Sequence, residues 1–290
     1  MGKVLNDAII SEYQRKGSYS PITIFDSDKA RSLRASLEAV ESKRGPVFTE
    51  NRAKSGDPIK GSYRFKSHLL FKWLSDVVRH PKILNIVEDL IGPDILCWTT
   101  HWFIKEANSS QYVSWHQDSN YWGVESENFV SVWLALSSST QKSGCLRVLP
   151  GSHLIAPLSH VDTWEKDNML TRGQEILGID ENQAVSLELQ PGEVALFDYR
   201  LAHASNPNKS NDRRIGIGIR YISPSARQVL TNTDSASLVR GSDRFGNFQL
   251  EPEPRYDFDP AAVAFHTAAD KAQREVYYSD SDAVNMAGEE

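Results

Sequence analysis

The chain has 290 residues, of which 40% are hydrophobic, 24% charged and 10% aromatic, a profile that excludes disordered, collagen-like and coiled-coil proteins. A chain of this length buries enough surface to need no disulfides for its core. Its 32 Lys and Arg against 38 Asp and Glu give a net charge of -6 with no basic run, so nucleic acid is not an expected partner.

Cys97 and Cys145 sit in apolar runs and read as small core residues. The first twenty residues carry no apolar leader core, and no stretch approaches the roughly 18 apolar residues of a membrane span. A cytoplasmic protein without membrane association is expected. Asp28 to Ser42 reads as an amphipathic helix, with Ala30, Leu33, Leu37 and Val40 on one face and Ser27 or Asp28 as its cap. A second helix is predicted from His68 to about Arg79. A third starts at Pro81 and ends at Gly92. Past Gly92 the apolar period changes from 3.6 to 2.

Short strands then follow at Ile95–Lys105, Tyr112–His116, Val130–Ser137, Cys145–Leu149, Ala184–Leu189, Val194–Tyr199, Ile215–Ile222 and Arg227–Leu230. Turn signals such as Pro150-Gly151-Ser152 and Pro191-Gly192 separate them. Leu154 to Gln183 does not alternate, contains a helix-like piece and reads as an insertion over the barrel. The pattern predicts one domain over 1–290: a helical part to about residue 92, a double-sheet β core over about 93–232, and an irregular acidic tail.

A His-x-Asp pair occurs twice, at His116/Asp118 and His160/Asp162. On a strand, residues i and i+2 share a face, so His116 and Asp118 at a strand end can hold one ion together. The second pair lies in the insertion, a poorer platform. A third ligand must come from a neighbouring strand, and His203, after the run Val194–Tyr199, is placed to supply it. Two neutral imidazoles and one carboxylate on one face of a metal form the facial triad of non-heme Fe(II) oxygenases.

Eleven residues after His203, Arg214 opens the run Ile215–Tyr221. Parity puts Ile215, Ile217, Ile219 and Tyr221 on a core face, and Arg214, Gly216, Gly218 and Arg220 on the other. The glycines there leave room for a ligand, and an arginine fork can clamp a carboxylate. Arg213 points the opposite way, and Arg220 is a second cation on the ligand face.

His116-x-Asp118, His203 and Arg214, with the run from Ser143 to His153 between them, resemble the phytanoyl-CoA dioxygenase family over roughly Phe65 to Tyr221. The resemblance implies a double-stranded β-helix (cupin-like jelly roll), mainly β with flanking helices. It also implies Fe(II) as metal, with 2-oxoglutarate and O2 as co-substrates. On that basis Arg214 binds the distal carboxylate of 2-oxoglutarate with Ser205 beside it, Gln117 and Trp133 line the same pocket, and Lys66 adds a contact. No basic pattern suits the phosphates of coenzyme A, so a small polar substrate is expected. Tyr121 and Trp122, directly after Asp118, and the cation Arg220 would suit a zwitterionic amine or a phosphonate. The residues alone leave two other classes open: a metal-dependent hydrolase or isomerase on the same barrel, and a non-catalytic barrel that binds a small ligand. A dicarboxylate clamp at Arg214 does not serve the first, and the second would be expected to have lost one of the four key positions, all of which this chain retains.

Overall fold

Short-range capping chemistry sets the helices. The computed structural model of the chain describes residues 2–49, 62–155, 157–170 and 172–278. Helix α1 (Asp7–Lys16) starts where Asn6 accepts from the Ile9 N–H and stops at Gly17, whose φ of 78° suits glycine. Helix α2 (Ser27–Arg44) buries Ala30, Leu33 and Leu37 as predicted, but its cap is Asp26, which accepts from the Lys29 N–H. The helix predicted from His68 to Arg79 is interrupted: a 3-10 turn, Ser67–Leu69, precedes α3 (Lys72–Val78), and the extended Phe71 separates them. Helix α4 (Pro81–Ile91) starts at the proline and ends at Gly92, as its sequence indicates.

Fifteen strands follow this logic among the described residues: β1 (Ser18–Thr23), β2 (Ile95–Lys105), β3 (Val113–His116), β4 (Val124–Glu125), β5 (Phe129–Ala135), β6 (Leu146–Val148), β7 (His160–Asp162), β8 (Gln174–Ile176), β9 (Val185–Leu187), β10 (Glu193–Phe197), β11 (His203–Ser205), β12 (Arg214–Ile222), β13 (Arg227–Gln228), β14 (Ser235–Arg240) and β15 (Gln249–Leu250). Seven form one sheet in the order β1-β10-β5-β12-β2-β14-β15, and four form a second, β3-β11-β6-β9. The two sheets make the double-stranded β-helix. The predicted helix-like piece in the insertion is replaced by the β7–β8 hairpin and a 3-10 turn, Glu181–Gln183.

Alternation on the large sheet divides the core into layers. Val130, Val132, Leu134, Ile215, Ile217 and Ile219 face the helices and join one cluster with Leu33, Leu74 and Ile86. Trp133, Ala135, Ala195 and Phe197 face inward, against Leu146, Val148 and Leu187 of the small sheet. Each such side chain contributes about 1.5–3 kcal/mol on burial. Both cysteines are free and buried, in line with their apolar context.

Two expectations about the ends are corrected. The first 92 residues are not wholly helical, because β1 pairs with β10 at the edge of the large sheet. As far as residue 278 the tail is not irregular: β14 and β15 extend the sheet beyond residue 232, and helix α5 (Pro260–Tyr278) packs near the Ser67–Leu69 turn, while the last residues of the acidic tail lie outside the described ones. No helix among the described residues is long and apolar enough to cross a membrane.

A buried ionic cluster fastens β14 and the residue after β15 to the helical layer. Glu251 accepts from Lys66 Nζ at 2.5 Å, Ser235 Oγ at 2.8 Å, Ser237 Oγ at 2.7 Å and His68 Nε2 at 3.2 Å. Burial works to raise the Glu251 pKa, but Lys66 and His68 outweigh it and hold the carboxyl far below its usual range. Its contribution is therefore present at neutral pH and lost on acidification. Glu251→Ala strands a buried ammonium, so chemical denaturation at pH 7 is expected to show a loss of about 3–5 kcal/mol.

Candidate metal centre and its two pockets

Pairing in the small sheet builds the metal centre. β3 and β11 are antiparallel neighbours, and the register sets His203 directly opposite His116. The imidazole centroids are 4.1 Å apart. Beyond the strand end the chain turns at a 3-10 step, Asp118–Asn120, which brings Asp118 back to the same face. Its Oδ1 lies 3.4 Å from His116 Nε2, and its Oδ2 3.9 Å from His203 Nε2. One donor atom from each of the three residues falls within a 4.8 Å group, all buried.

Backbone carbonyls fix how these rings present themselves. His116 Nδ1–H donates to Ser114 O at 2.9 Å and His203 Nδ1–H to Leu201 O at 2.8 Å, so both Nε2 lone pairs face Asp118. Burial, reinforced by His116, pushes His203 down to about 3, the neutral state a ligand needs. For Asp118, burial acts to raise the pKa, and His203, His116 and Arg220 outweigh it and keep the carboxylate ionised. Asp118 Oδ2 is buried without a hydrogen-bond partner among the described residues, which fits an atom made for a cation.

Behind the triad, between the sheets, lies an inner pocket lined by Phe103, Trp133, Phe197, His203, Ser205 and Arg214. Arg214 is 2% exposed, and its Nε and Nη2 lack partners among the described residues. Its guanidinium sits over Trp133 at 5.3 Å. Burial pulls Arg214 down to about 10, yet it stays charged at neutral pH. A buried cation with unused donors calls for an anion. Arg213, as parity predicts, points outward to Glu41 and Glu106.

On the other side of His116 and Asp118 an outer cavity opens, lined by Phe65, His101, Phe103, Tyr121, Trp122 and Arg220, and walled on one side by α5. Arg220 borders both spaces. It is 3% exposed, its Nη2 lies 3.7 Å from Asp118 Oδ2, and Nε and Nη1 have no partner among the described residues. Phe103 and Trp122 hold its guanidinium at 5.6 and 5.1 Å.

The structure thus brings together His116, Asp118, His203, Arg214, Ser205, Trp133, Tyr121, Trp122 and Arg220. Two expected pocket residues lie elsewhere. Gln117 alternates to the opposite side of the strand from its neighbours, where its amide donates to Arg200 O at 2.6 Å and accepts from Leu158 N at 2.8 Å. Lys66 is consumed by Glu251. The glycines of β12 also act differently from the expectation. A methyl group at Gly216 would strike the Trp133 ring and one at Gly218 the Arg220 guanidinium, so they make room for side chains that form the site. His160 is a support, its Nε2 accepting from the Gln117 N–H at 2.9 Å. The sequence reading missed the β2 face of His101, Phe103 and Lys105, although parity against the buried Trp102 and Ile104 marks it.

The barrel, the open-faced donor set and the buried guanidinium behind it together define a 2-oxoglutarate-dependent non-heme iron dioxygenase, with Fe(II) and 2-oxoglutarate as its cofactors. Comparison with known proteins agrees. Residues 13–216 match the family Phytanoyl-CoA dioxygenase (PhyH), and the chain belongs to that family. It is 26% identical over 227 residues to a probable alpha-ketoglutarate-dependent hypophosphite dioxygenase of Stutzerimonas stutzeri, covering 76% of this chain and 79% of the relative. Among solved structures, the apo form of the non-heme monooxygenase ThoJ is 32% identical with a TM-score of 0.78, covering 93% of this chain and 98% of that one. CytC3 with Fe(II) and alpha-ketoglutarate, at 20% identity and a TM-score of 0.65 over 89% of this chain and 98% of that one, shares the fold.

Proposed function

We propose that His116, Asp118 and His203 hold Fe(II), that Arg214 and Ser205 receive the distal carboxylate of 2-oxoglutarate over Trp133, and that a small polar molecule in the outer cavity is hydroxylated. The observation that carries this reading is Arg214: a buried cation with unused donors, placed behind the triad. A hydrolase or isomerase has no use for it. When bound, Fe(II) with 2-oxoglutarate and O2 supplies the oxidant for an unactivated C–H bond, releasing succinate and CO2. The chain's own residues do the rest. The two histidines and Asp118 hold three sites on one face, Arg214 fixes the far end of the co-substrate, and Trp133 and Phe197 keep water out of the inner pocket.

Arg220, with two unused donors beside the outer cavity, favours a substrate bearing an anionic group, a zwitterionic amine or a phosphonate. A relative named for hypophosphite, a small oxyanion, supports the anionic half. A metabolite screen reading succinate with Fe(II) present tests the proposal. With isotopically labelled O2, one labelled oxygen is expected in succinate and one in the product. A product without label would overturn hydroxylation. For the substrate so found, Arg220→Gln is expected to raise KM at least about tenfold, with 2-oxoglutarate affinity little changed. An unchanged KM would remove Arg220 from the substrate site.

A further inference from the structure

A second buried cation lies beside the inner pocket and has no task in the reading above. Lys105 ends β2 opposite Arg214 on β12, and none of its surface reaches solvent. The groups that bear on its charge are Arg214 and the Cys145 thiol, with no carboxylate among them. Its Nζ donates to Ser205 Oγ at 2.7 Å, Ser205 O at 3.2 Å and Asn206 O at 2.5 Å. Three acceptors match the three hydrogens of an ammonium.

This arrangement decides what Ser205 can do. A hydroxyl has one hydrogen to give and lone pairs to receive. With Lys105 donating to its oxygen, the Ser205 hydrogen must point elsewhere, and the side chain lines the inner pocket with Arg214. We infer that Lys105 is a positioning residue for the co-substrate: its ammonium occupies Ser205 Oγ and turns the serine hydrogen toward the distal carboxylate of 2-oxoglutarate beside Arg214. The inference rests on the reading of Arg214 and Ser205 as the seat of that carboxylate. Burial, with Arg214 adding to it, pulls Lys105 down to about 6, close to the balance between amine and ammonium near neutral pH. An arriving carboxylate shifts that balance toward the ammonium.

Pyruvate, a 2-oxo acid without a distal carboxylate, separates this role from a merely structural one. Calorimetric titration of 2-oxoglutarate and of pyruvate into the Ni(II)-loaded protein measures both affinities without turnover. Wild type is expected to prefer 2-oxoglutarate strongly. Lys105→Met and Ser205→Ala should each lose about tenfold or more for 2-oxoglutarate and stay within about twofold for pyruvate. The double variant should be no worse than the weaker single one, since both remove one donor. Equal losses for both acids, an unchanged 2-oxoglutarate affinity, or multiplied losses in the double variant would overturn the inference. Should Lys105→Met not fold, Lys105→Gln takes its place under the same criteria. Absence of any preference in wild type would instead overturn the Arg214 anchor, and with it the role of Lys105.

Discussion

Asp118→Ala is expected to eliminate stoichiometric Fe(II) binding and succinate formation together, with the fold retained. His116→Ala and His203→Ala should behave alike. The substitution removes the one carboxylate of the donor set and leaves two imidazoles 4.1 Å apart facing a gap. It also strips Arg220 of the one anion close to it among the described residues, at 3.7 Å. Leaving Arg220 buried without that anion lowers the unfolding temperature but does not abolish the fold, since Asp118 Oδ2 makes no hydrogen bond among the described residues and Arg220 keeps its contacts with the Phe103 and Trp122 rings. Metal content by atomic emission, succinate by mass spectrometry and thermal unfolding by circular dichroism give the three readouts. His160→Ala is the comparison: that ring is not one of the grouped donors but braces the 117–120 turn, so metal binding is expected to weaken and not to be eliminated. Stoichiometric metal in His203→Ala would dismantle the triad.

Arg214→Ala is expected to weaken 2-oxoglutarate by about 2–4 kcal/mol, or roughly 30- to 1,000-fold, since a buried carboxylate would lose its charged partner. Arg213→Ala provides the contrast. That side chain spends its charge on the largely buried Glu41 and the exposed Glu106, away from the inner pocket, so 2-oxoglutarate affinity should change little. Anaerobic calorimetry of 2-oxoglutarate on metal-loaded protein decides between them. Were the two effects reversed, the parity of β12 would be wrong, and the inner pocket would need another anchor.

The triad and the anchor were legible because they depend on alternation, which strands obey strictly. Arg214 and Arg220 lie on the face opposite Ile215 and Ile217, while Asp118 shares a side with His116 only because the 3-10 step after β3 returns it there. The same rule places Gln117 away from the pocket, and there the family resemblance misled where the period did not. Lys66 was beyond local reasoning, because its partner Glu251 lies 185 residues further along the chain. The glycines of β12 were rightly read as space, but what fills that space is decided by Trp133 on the neighbouring strand and by Arg220 two residues on. The first helix was not foreseen although it carried a readable cap at Asn6 and stop at Gly17, for its ten residues hold just three large apolar side chains, Ile9, Ile10 and Tyr13.

The wall that α5 contributes to the outer cavity has a consequence for how the enzyme can change. Every proposed ligand to iron, and the anchor for 2-oxoglutarate, lies at or before Arg214, inside the span 13–216 that matches the family. Gln228, Asp234 and Gln273 of the outer cavity come after it. Reactivity is thus written at or before Arg214, whereas admission is shared, since Phe65, Tyr121 and Trp122 of the earlier stretch line the same cavity. Replacement of side chains along the later stretch alters which molecule is presented to the metal while leaving untouched the groups that would carry out its oxidation. The fold behaves like a fixed tool whose jig can be exchanged on the one side that the later residues build.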